Sequence, residues 1–391
     1  MNVLLLSQLF SRKGGGEYVF SLIAKNLAEN NHRVWVITNK IIGEKYPIDE
    51  RIKIVFVRPD LKYEGGLPPS ALVHLRYVIN AVIEGLKIIK KEKIDVIHSN
   101  NFAPALAGSI LSSFTSKPHV ITIHDVLSLC GKNYWKIWGD QIYMSKFSSF
   151  LPPLLDRLMV KLRCSCIHAV SETTRDDLIQ LGAKKPIHVI HNSIDIPQSS
   201  IQETKTNPLQ FIYVGRLLFS KNLEVAIRGI SIAKEKEPNI KLLVVGDGPH
   251  KKILQSLTNK LGLESNIEFK GQVSEDEKIR LVEGSTALVF PSLCEGFGLV
   301  ILEAFSQNKP VMVSDVRPSS DIVSHEVNGY VLNPYDGTVW ADCFLKIIKN
   351  PNESIKLGKN GNNLLKEKYN QDLMYKKILS MYHQYATPYE V

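Results

Sequence analysis

Short apolar runs alternate with amphipathic stretches along the first half of the chain. Seven of these runs are four to seven residues long, rich in Val and Ile, and apolar on both faces, which is typical of buried strands; they are VLLLS, HRVWVIT, IKIVFV, IDVIHS, HVITIH, CIHAVS and IHVIHN. Amphipathic stretches with helical periodicity lie between several of these runs, at residues 17–30, 70–91 and 173–181. Strands that alternate with helices predict a mostly parallel sheet covered by helices on both faces.

A second alternation begins after residues 195–208, which are polar, contain two prolines and show no periodicity, as expected of a linker. It runs through LQFIYVG, IKLLVVGDG, IEFKG, TALVFPS and PVMVSD, with helical patterns between these strands. We therefore predict an α/β protein with two Rossmann-like doubly wound domains, 1–194 and 209–369, that face each other across a cleft. The periodic tail, 370–391, is expected to pack back on the first domain as a helix.

Composition narrows the class of protein. The 391 residues suit two domains, and no window reaches the ~18 apolar residues of a membrane span. The first residues lack the basic leading segment of a signal peptide, so we expect a cytoplasmic protein. Reduced thiols are then expected for the five cysteines, which are Cys130, Cys164, Cys166, Cys294 and Cys343.

A net charge of +9 predicts an anionic partner. The lysines are widely spread and form no long basic block, which disfavours nucleic acid. A phosphate-bearing ligand or an anionic membrane surface fits the charge better.

The first candidate motif, Gly14-Gly15-Gly16-Glu17, follows the first strand and opens a helix. Glycines let the backbone approach an anion, and a helix N-terminus offers unpaired N–H groups. The alternative is a tight turn without a ligand. The motif is not GxGxxG, and no acidic residue ends the second strand, which argues against a dinucleotide-dependent dehydrogenase.

The second motif lies between a strand and a helix of the second half, in the run VGRLLFSKN. Arg216 and Lys221 are five positions apart and can converge on one phosphate-bearing group. Solvated surface residues are the alternative. The position at the carboxyl end of a strand favours binding.

The third motif, PSLCEGFGL, contains Glu295, Gly296 and Gly298, and Glu303 follows Glu295 by eight positions. The glycines free the backbone at the start of a helix, and carboxylates accept hydrogen bonds from hydroxyls. Either Glu alone has a structural explanation, since acidic residues are favoured at helix N-termini and on solvated faces. The complete string favours a binding site.

The fourth motif, Thr122-Ile123-His124-Asp125, ends the fifth strand. A His–Asp pair at this edge can hydrogen-bond a substrate hydroxyl or a developing charge. A purely structural histidine is the alternative.

Together these strings resemble the retaining GT-B glycosyltransferases of family 4. The matches are GGGE, TIHD, AVSE and HNSID in the first half, and VGRLLFSKN, VVGDGP and VFPSLCEGFGLVILEAF in the second. They stand in the expected order over essentially the whole chain.

The resemblance implies a role for each matched position. Arg216 and Lys221 would hold the donor diphosphate, Glu303 the ribose, and Glu295 the hydroxyls of the transferred sugar. The implied donor-binding set is Gly15, Gly16, Arg216, Lys221, Val273, Glu295, Gly296, Phe297, Gly298, Leu299 and Glu303. The implied catalytic set is His124, Arg216, Lys221 and Glu295, and the acceptor side comprises Gly14, Gly15, Asp125 and Trp135.

The resemblance also implies the reaction. A nucleotide diphosphate sugar such as a UDP- or GDP-sugar would donate a hexose to a saccharide or lipid-linked acceptor, with retention and without a side-chain nucleophile. The chain contains no Asp-x-Asp, so we expect no metal and no cofactor. The alternatives are a nucleotide-sugar epimerase of the GT-B type and a non-catalytic subunit that binds a nucleotide sugar.

Residues 127–163 interleave aromatic side chains with lysines, including Trp135, Lys136 and Trp138. Such a mixture suits a lipid headgroup interface, and it equally suits an acceptor-site lid without membrane contact. Peripheral attachment to the cytoplasmic membrane face is therefore one of two expectations.

Overall fold

Two parallel sheets organise the chain, one in each of two units. The computed structural model describes residues 1–11, 15–42, 49–59, 71–130, 134, 136–137, 151–196 and 206–386. The first unit comprises Met1–Val126, Pro153–Asp195 and Gln371–Val391, and the second comprises Leu127–Pro152 and Ile196–Asn370.

The first unit is built on a seven-stranded sheet. The strands of this unit are β1 (Asn2–Leu6), β2 (Leu9–Ser11), β3 (Arg33–Thr38), β4 (Lys40–Ile42), β5 (Ile52–Phe56), β6 (Val96–Ser99), β7 (His119–Ile123), β8 (Cys166–Ala169) and β9 (Ile187–Val189). Its first helices are α1 (Gly16–Glu29), α2 (Ala71–Glu92), α3 (Ala103–Thr115), α4 (Leu151–Met159) and α5 (Glu172–Gln180). The sheet order is β5-β3-β1-β6-β7-β8-β9, while β2 and β4 form a separate parallel pair.

All neighbouring strands of the large sheet run parallel, and β1 lies between β3 and β6. The chain therefore winds outward from β1 in one direction and later in the other, which places a topological switch point at the carboxyl ends of β1 and β6. Strand β1 is apolar because both of its faces are covered: Leu4, Leu5 and Leu6 are fully buried. Each such side chain contributes about 1.5–3 kcal/mol by its burial.

The second unit repeats this winding. Its elements are β10 (Gln210–Val214), α6 (Leu223–Ala233), β11 (Lys241–Val245), α7 (Lys251–Lys260), β12 (Ile267–Gly271), α8 (Glu275–Glu283), β13 (Ala287–Phe290), α9 (Leu299–Ser306), β14 (Val311–Ser314), α10 (Ser319–Ile322), β15 (Gly329–Leu332), α11 (Gly337–Lys349) and α12 (Pro351–Lys368). The sheet order is β12-β11-β10-β13-β14-β15. Renumbered from β10 as one, this is the 3-2-1-4-5-6 order of a Rossmann fold, with its switch point between β10 and β13.

The core of the second unit contains large aromatic side chains. Phe211 of β10 and Phe344 of α11 meet edge to face with ring centroids 4.7 Å apart, and Trp340 is fully buried beside them. Gly229 of α6 lets α11 approach closely, because a Cβ there would lie 2.9 Å from Trp340 Cβ.

The last helix, α13 (Gln371–Tyr385), belongs to the first unit, as the sequence predicts. Three of its tyrosines hydrogen-bond histidines of that unit, and the pairs are Tyr375 with His32, Tyr382 with His98 and Tyr385 with His188. Polar contacts therefore accompany the apolar packing of this helix.

The structure differs from the sequence prediction in one segment and in one bond. Leu127–Pro152 is grouped with the second unit, and within it the Tyr134 ring packs on Phe219 with centroids 5.3 Å apart. Cys130 is disulfide-bonded to Cys294, with the Cα atoms 5.6 Å apart. The expectation of reduced thiols is wrong for these two residues, because the fold joins positions 164 apart.

The other three cysteines, Cys164, Cys166 and Cys343, are free and buried. Gly14, Trp135 and Trp138 lie outside the described residues, so the hypothesis of a membrane-binding lid stays a prediction. Within the described ranges, no helix combines the length and apolar character that crossing a membrane requires.

Candidate functional site

The switch point of the second sheet brings two of the predicted motifs together. Strands β10 and β13 are paired, with Phe211 opposite Ala287 and Ile212 opposite Leu288. The Arg216–Lys221 loop leaves the end of β10, and the EGFG motif leaves the end of β13. The two loops are joined directly, since Leu293 N–H donates to Ser220 C=O over 2.8 Å.

Lys221 and Glu295 form an ion pair between these loops. Their side chains are 20% and 14% exposed, so the pair is largely shielded from solvent and its charges are weakly screened. The Lys221 ammonium also lies 5.8 Å from the centre of the Phe290 ring. A cation and a carboxylate are thus held side by side between the two loops.

A side chain of β10 fixes the backbone of the Arg216–Lys221 loop. Tyr213 is fully buried, and its hydroxyl donates to the carbonyl of Arg216 over 3.0 Å. Gly215 is needed here, because a Cβ would lie 2.9 Å from that hydroxyl. Sequence reasoning did not identify Tyr213, although a tyrosine inside an otherwise apolar strand is a usable signal.

The second loop turns into α9 through Gly298, whose φ of +98° is a left-handed conformation that favours glycine. Phe297 is buried and packs edge to face on Tyr369, with centroids 5.8 Å apart. Helix α9 begins at Leu299, three residues after Gly296. Its first N–H groups, which have no partner within the helix, therefore lie close in the chain to Glu295 and Gly296.

Glu303 lies on α9, and its Oε2 is 3.0 Å from the Lys278 ammonium of α8. The same ammonium is 2.7 Å from Glu275 Oε2. Burial raises the pKa of the Glu303 carboxyl, while Lys278 opposes that rise. Burial would lower the pKa of Lys278, but the carboxylates of Glu303 and Glu275 raise it above its ordinary value. Lys278 was not identified from the sequence, where nothing connects it to Glu303.

Val273 lies just before α8, whose first turn is capped by Ser274: the Ser274 hydroxyl accepts a hydrogen bond from Glu277 N–H over 3.2 Å. The loop at Val273 therefore leads directly into the helix that carries Lys278.

In the first unit, His124 at the end of β7 lies against the start of α1. A Cβ on Gly16 would be 2.5 Å from His124 Cδ2, and the Phe20 ring meets the imidazole edge on. Burial and the nearby His168 lower the pKa of His124 to about 3. Its Nε2 is buried and has no hydrogen-bond partner among the described residues, so a neutral imidazole is left with one unused polar atom.

Asp125, which the sequence predicts on the acceptor side, lines a small pocket together with Asn101, Asp156 and Leu178. Asn101 follows β6 at the switch point of the first sheet, and sequence reasoning did not identify it. Gly15 begins α1 as its N-cap and is exposed.

The predicted site residues thus lie in two groups. Arg216, Lys221, Glu295, Gly296, Phe297, Gly298, Leu299 and Glu303 surround the end of the second sheet, with Val273 at α8, and Gly15, Gly16, His124 and Asp125 belong to the first unit. In the part of the chain that the structure describes, no three His, Cys, Asp or Glu side chains are arranged to hold a metal ion.

Two family descriptions match adjacent parts of the chain. Glycosyltransferase Family 4 matches residues 13–198, and Glycosyl transferases group 1 matches residues 195–364. An uncharacterised glycosyltransferase of Methanocaldococcus jannaschii is 27% identical over 340 residues, which is 81% of each chain.

Two solved structures share the fold of the whole chain. Sucrose-phosphate synthase of Thermosynechococcus elongatus superposes with a TM-score of 0.80 at 18% identity, covering 98% of both chains. HepE of Anabaena, solved in complex with UDP-glucose, superposes with a TM-score of 0.75 at 21% identity, covering 98% of this chain and 100% of the other. These likenesses identify the fold as GT-B.

Proposed function

This chain belongs to the group 1 glycosyltransferases, and we propose that it transfers a sugar from a nucleoside diphosphate sugar, such as a UDP- or GDP-sugar, to a hydroxyl of a saccharide or lipid-linked acceptor. The observation that carries the proposal is the ion pair between Lys221 and Glu295 at the switch point of the second sheet. The complex of HepE with UDP-glucose supports a donor of this class.

Arg216 and Lys221 bind the donor diphosphate in this proposal. Arg216 offers two parallel N–H groups to phosphate oxygens and Lys221 offers a compact charge. As the bond between the sugar and the diphosphate breaks, negative charge grows on the leaving oxygen, and cations fixed in advance stabilise that charge. Two fixed cations can do this without a divalent metal.

Glu295 accepts hydrogen bonds from hydroxyls of the transferred sugar, and Glu303 accepts those of the ribose. The N–H groups at the start of α9 complete the donor site, because they are unpaired within the helix and lie at its positive end. Neutral His124 provides a hydrogen bond to the reacting sugar without adding charge.

The step is a front-face substitution with retention, proposed on the resemblance to family 4. The bond from the anomeric carbon to the diphosphate oxygen breaks, and a bond from that carbon to the acceptor oxygen forms on the same face. The acceptor proton passes to the departing diphosphate oxygen. No protein nucleophile takes part.

The test combines donor binding with turnover. A panel of UDP- and GDP-sugars is screened by thermal shift, where a donor at 100 times its Kd raises the stability by about 2.7 kcal/mol. With the selected donor, Arg216→Ala and Lys221→Ala are each expected to lower kcat by about 100–1,000-fold. Lys359→Ala, an exposed lysine of α12, is the matched control and keeps full activity.

The same assay separates the competing functions. Excess EDTA leaves the rate unchanged, and the product has the anomeric configuration of the donor by NMR. Donor binding without transfer to any acceptor would favour a non-catalytic subunit, and conversion of the donor into an epimer would favour an epimerase. Unchanged turnover in both alanine variants would refute the proposal.

A further inference from the structure

Lys278 places a mostly buried ammonium between two carboxylates. Its side chain is 17% exposed, and it lies 3.0 Å from Glu303 Oε2 and 2.7 Å from Glu275 Oε2. Glu275 belongs to the same helix, whereas Glu303 belongs to α9. One lysine therefore links the start of α8 to the carboxylate that follows the EGFG motif.

The beginning of α8 is an unfavourable place for a cation. The positive end of the helix dipole lies there and favours the acidic residues that occupy its first turn. Lysine is also rarely buried unless it is paired. Lys278 is therefore stabilised at this position mainly by its carboxylate partners, and the partner that it reaches on another helix is Glu303.

The ion pair leaves part of the Glu303 carboxylate open to a ligand. Oε2 faces Lys278, and the Glu303 side chain is 30% exposed. A carboxylate that is held by an ion pair accepts further hydrogen bonds in a fixed direction. Because burial raises the pKa of Glu303, the group would protonate more readily without Lys278 and would then lose part of its acceptor capacity.

We propose that Lys278 is a positioning residue that orients the Glu303 carboxylate for the two hydroxyls of a ribonucleoside diphosphate. The inference rests on the proposed function, since it assigns the ribose to Glu303. Lys278 itself does not touch the donor. Its contribution is therefore expected in the discrimination between ribose and deoxyribose, not in phosphate binding.

The experiment measures Kd by calorimetry for UDP and for 2′-deoxy-UDP, or for the guanosine pair if the donor panel selects GDP. Hydrogen bonds to a charged group predict that the wild type prefers the ribonucleotide by about 10–100-fold. Lys278→Met is expected to reduce this preference at least about fivefold, Lys278→Arg to retain most of it, and Glu303→Gln to abolish it. Lys346→Met removes a comparable but exposed ion pair with Glu326 and keeps the preference.

Measuring the preference for ribose over a pH series adds a test, because a simple loss of stability would not change its pH dependence. The preference for ribose disappears as pH falls and Glu303 takes up a proton. Without Lys278 this loss is expected at higher pH than in the wild type. Glu275→Gln leaves the pair of Lys278 with Glu303 intact and removes a negative charge that raises the pKa of Glu303, so the loss is expected at lower pH than in the wild type. This opposite shift provides the second variant if Lys278→Met folds poorly.

The outcomes separate this inference from the proposed function. If the wild type binds neither nucleoside diphosphate, the proposed function fails. If the wild type discriminates and Lys278→Met discriminates equally well, the proposed function stands and the role of Lys278 is overturned. A uniform loss of affinity for both nucleotides would assign Lys278 to the stability of the loop instead.

Discussion

Gly16 and His124 share a small space at the start of α1. The imidazole occupies the volume that a side chain at position 16 would need, with His124 Cδ2 2.5 Å and Nε2 2.7 Å from the position of a Cβ. Gly15, one residue earlier, has no atom within 4 Å of such a Cβ. Gly16 therefore leaves room for the His124 ring, whereas no neighbouring atom of the described residues limits the side chain at position 15.

Gly16→Ala is expected to displace the His124 ring and to lower both turnover and stability. Overpacking of this kind costs about 1–3 kcal/mol, which a thermal unfolding scan resolves. Gly15→Ala is the matched control, and its melting temperature should equal that of the wild type. Equal melting temperatures for both variants would show that the imidazole moves freely.

Helix α13 connects the end of the chain to the strands that carry His124. The hydroxyl of Tyr382 is 2.5 Å from His98 Nδ1, and His98 Nε2 is 2.6 Å from the hydroxyl of Thr122. That hydroxyl also bonds His168 Nδ1 over 2.9 Å. A buried chain of polar groups thus runs from α13 to β7, two residues before His124.

Tyr382→Phe is expected to lower the free energy of unfolding by about 1–3 kcal/mol, because it leaves a buried histidine nitrogen without a partner. Tyr375→Phe is the comparison, since its partner His32 is only partly buried and water can replace the lost hydroxyl. Urea unfolding of both variants measures the difference. An equally small effect in both would mean that the buried chain contributes little.

Across the whole molecule, buried neutral histidines predict a loss of stability in acid. Burial lowers the pKa of His119 and of His168 to about 4, from an ordinary value of 6.5. Below pH 6.5 the unfolded chain binds protons that the folded chain excludes, so stability falls as pH falls until the folded groups also titrate near pH 4.

At pH 5, each of these two histidines should reduce the free energy of unfolding by about 2 kcal/mol. Urea titrations at pH 7 and pH 5 test this, and His119→Asn should remove about that much of the difference between the two. Val327→Ala, at an exposed position without an ionisable group, should leave the pH dependence unchanged. A wild-type stability that is constant over this range would contradict the assignment.

Much of the fold was predictable because buried parallel strands are apolar on both faces and so leave a local signal. All seven strands expected in the first sheet are present, and α1 (Gly16–Glu29) begins one residue before the predicted 17–30. The β2–β4 pair and α3 were not predicted. Strands β2 and β4 are short and follow β1 and β3 within three residues, so neither shows an apolar run of its own. Helix α3 is apolar on most of its surface and shows no clear amphipathic period.

The sequence by itself also determined where the candidate motifs lie along the chain, since Arg216, Glu295 and His124 each follow a recognisable strand. Only the tertiary structure decided which motifs meet. Strand order places β10 beside β13, joins Lys221 to Glu295, brings Lys278 to Glu303, and pairs Cys130 with Cys294. The physical reason is the separation of the contacting residues along the chain. Hydrophobic periodicity reflects which face of its own helix or strand a residue occupies. These side-chain contacts join residues 25 to 164 positions apart, so they leave no local pattern in the sequence.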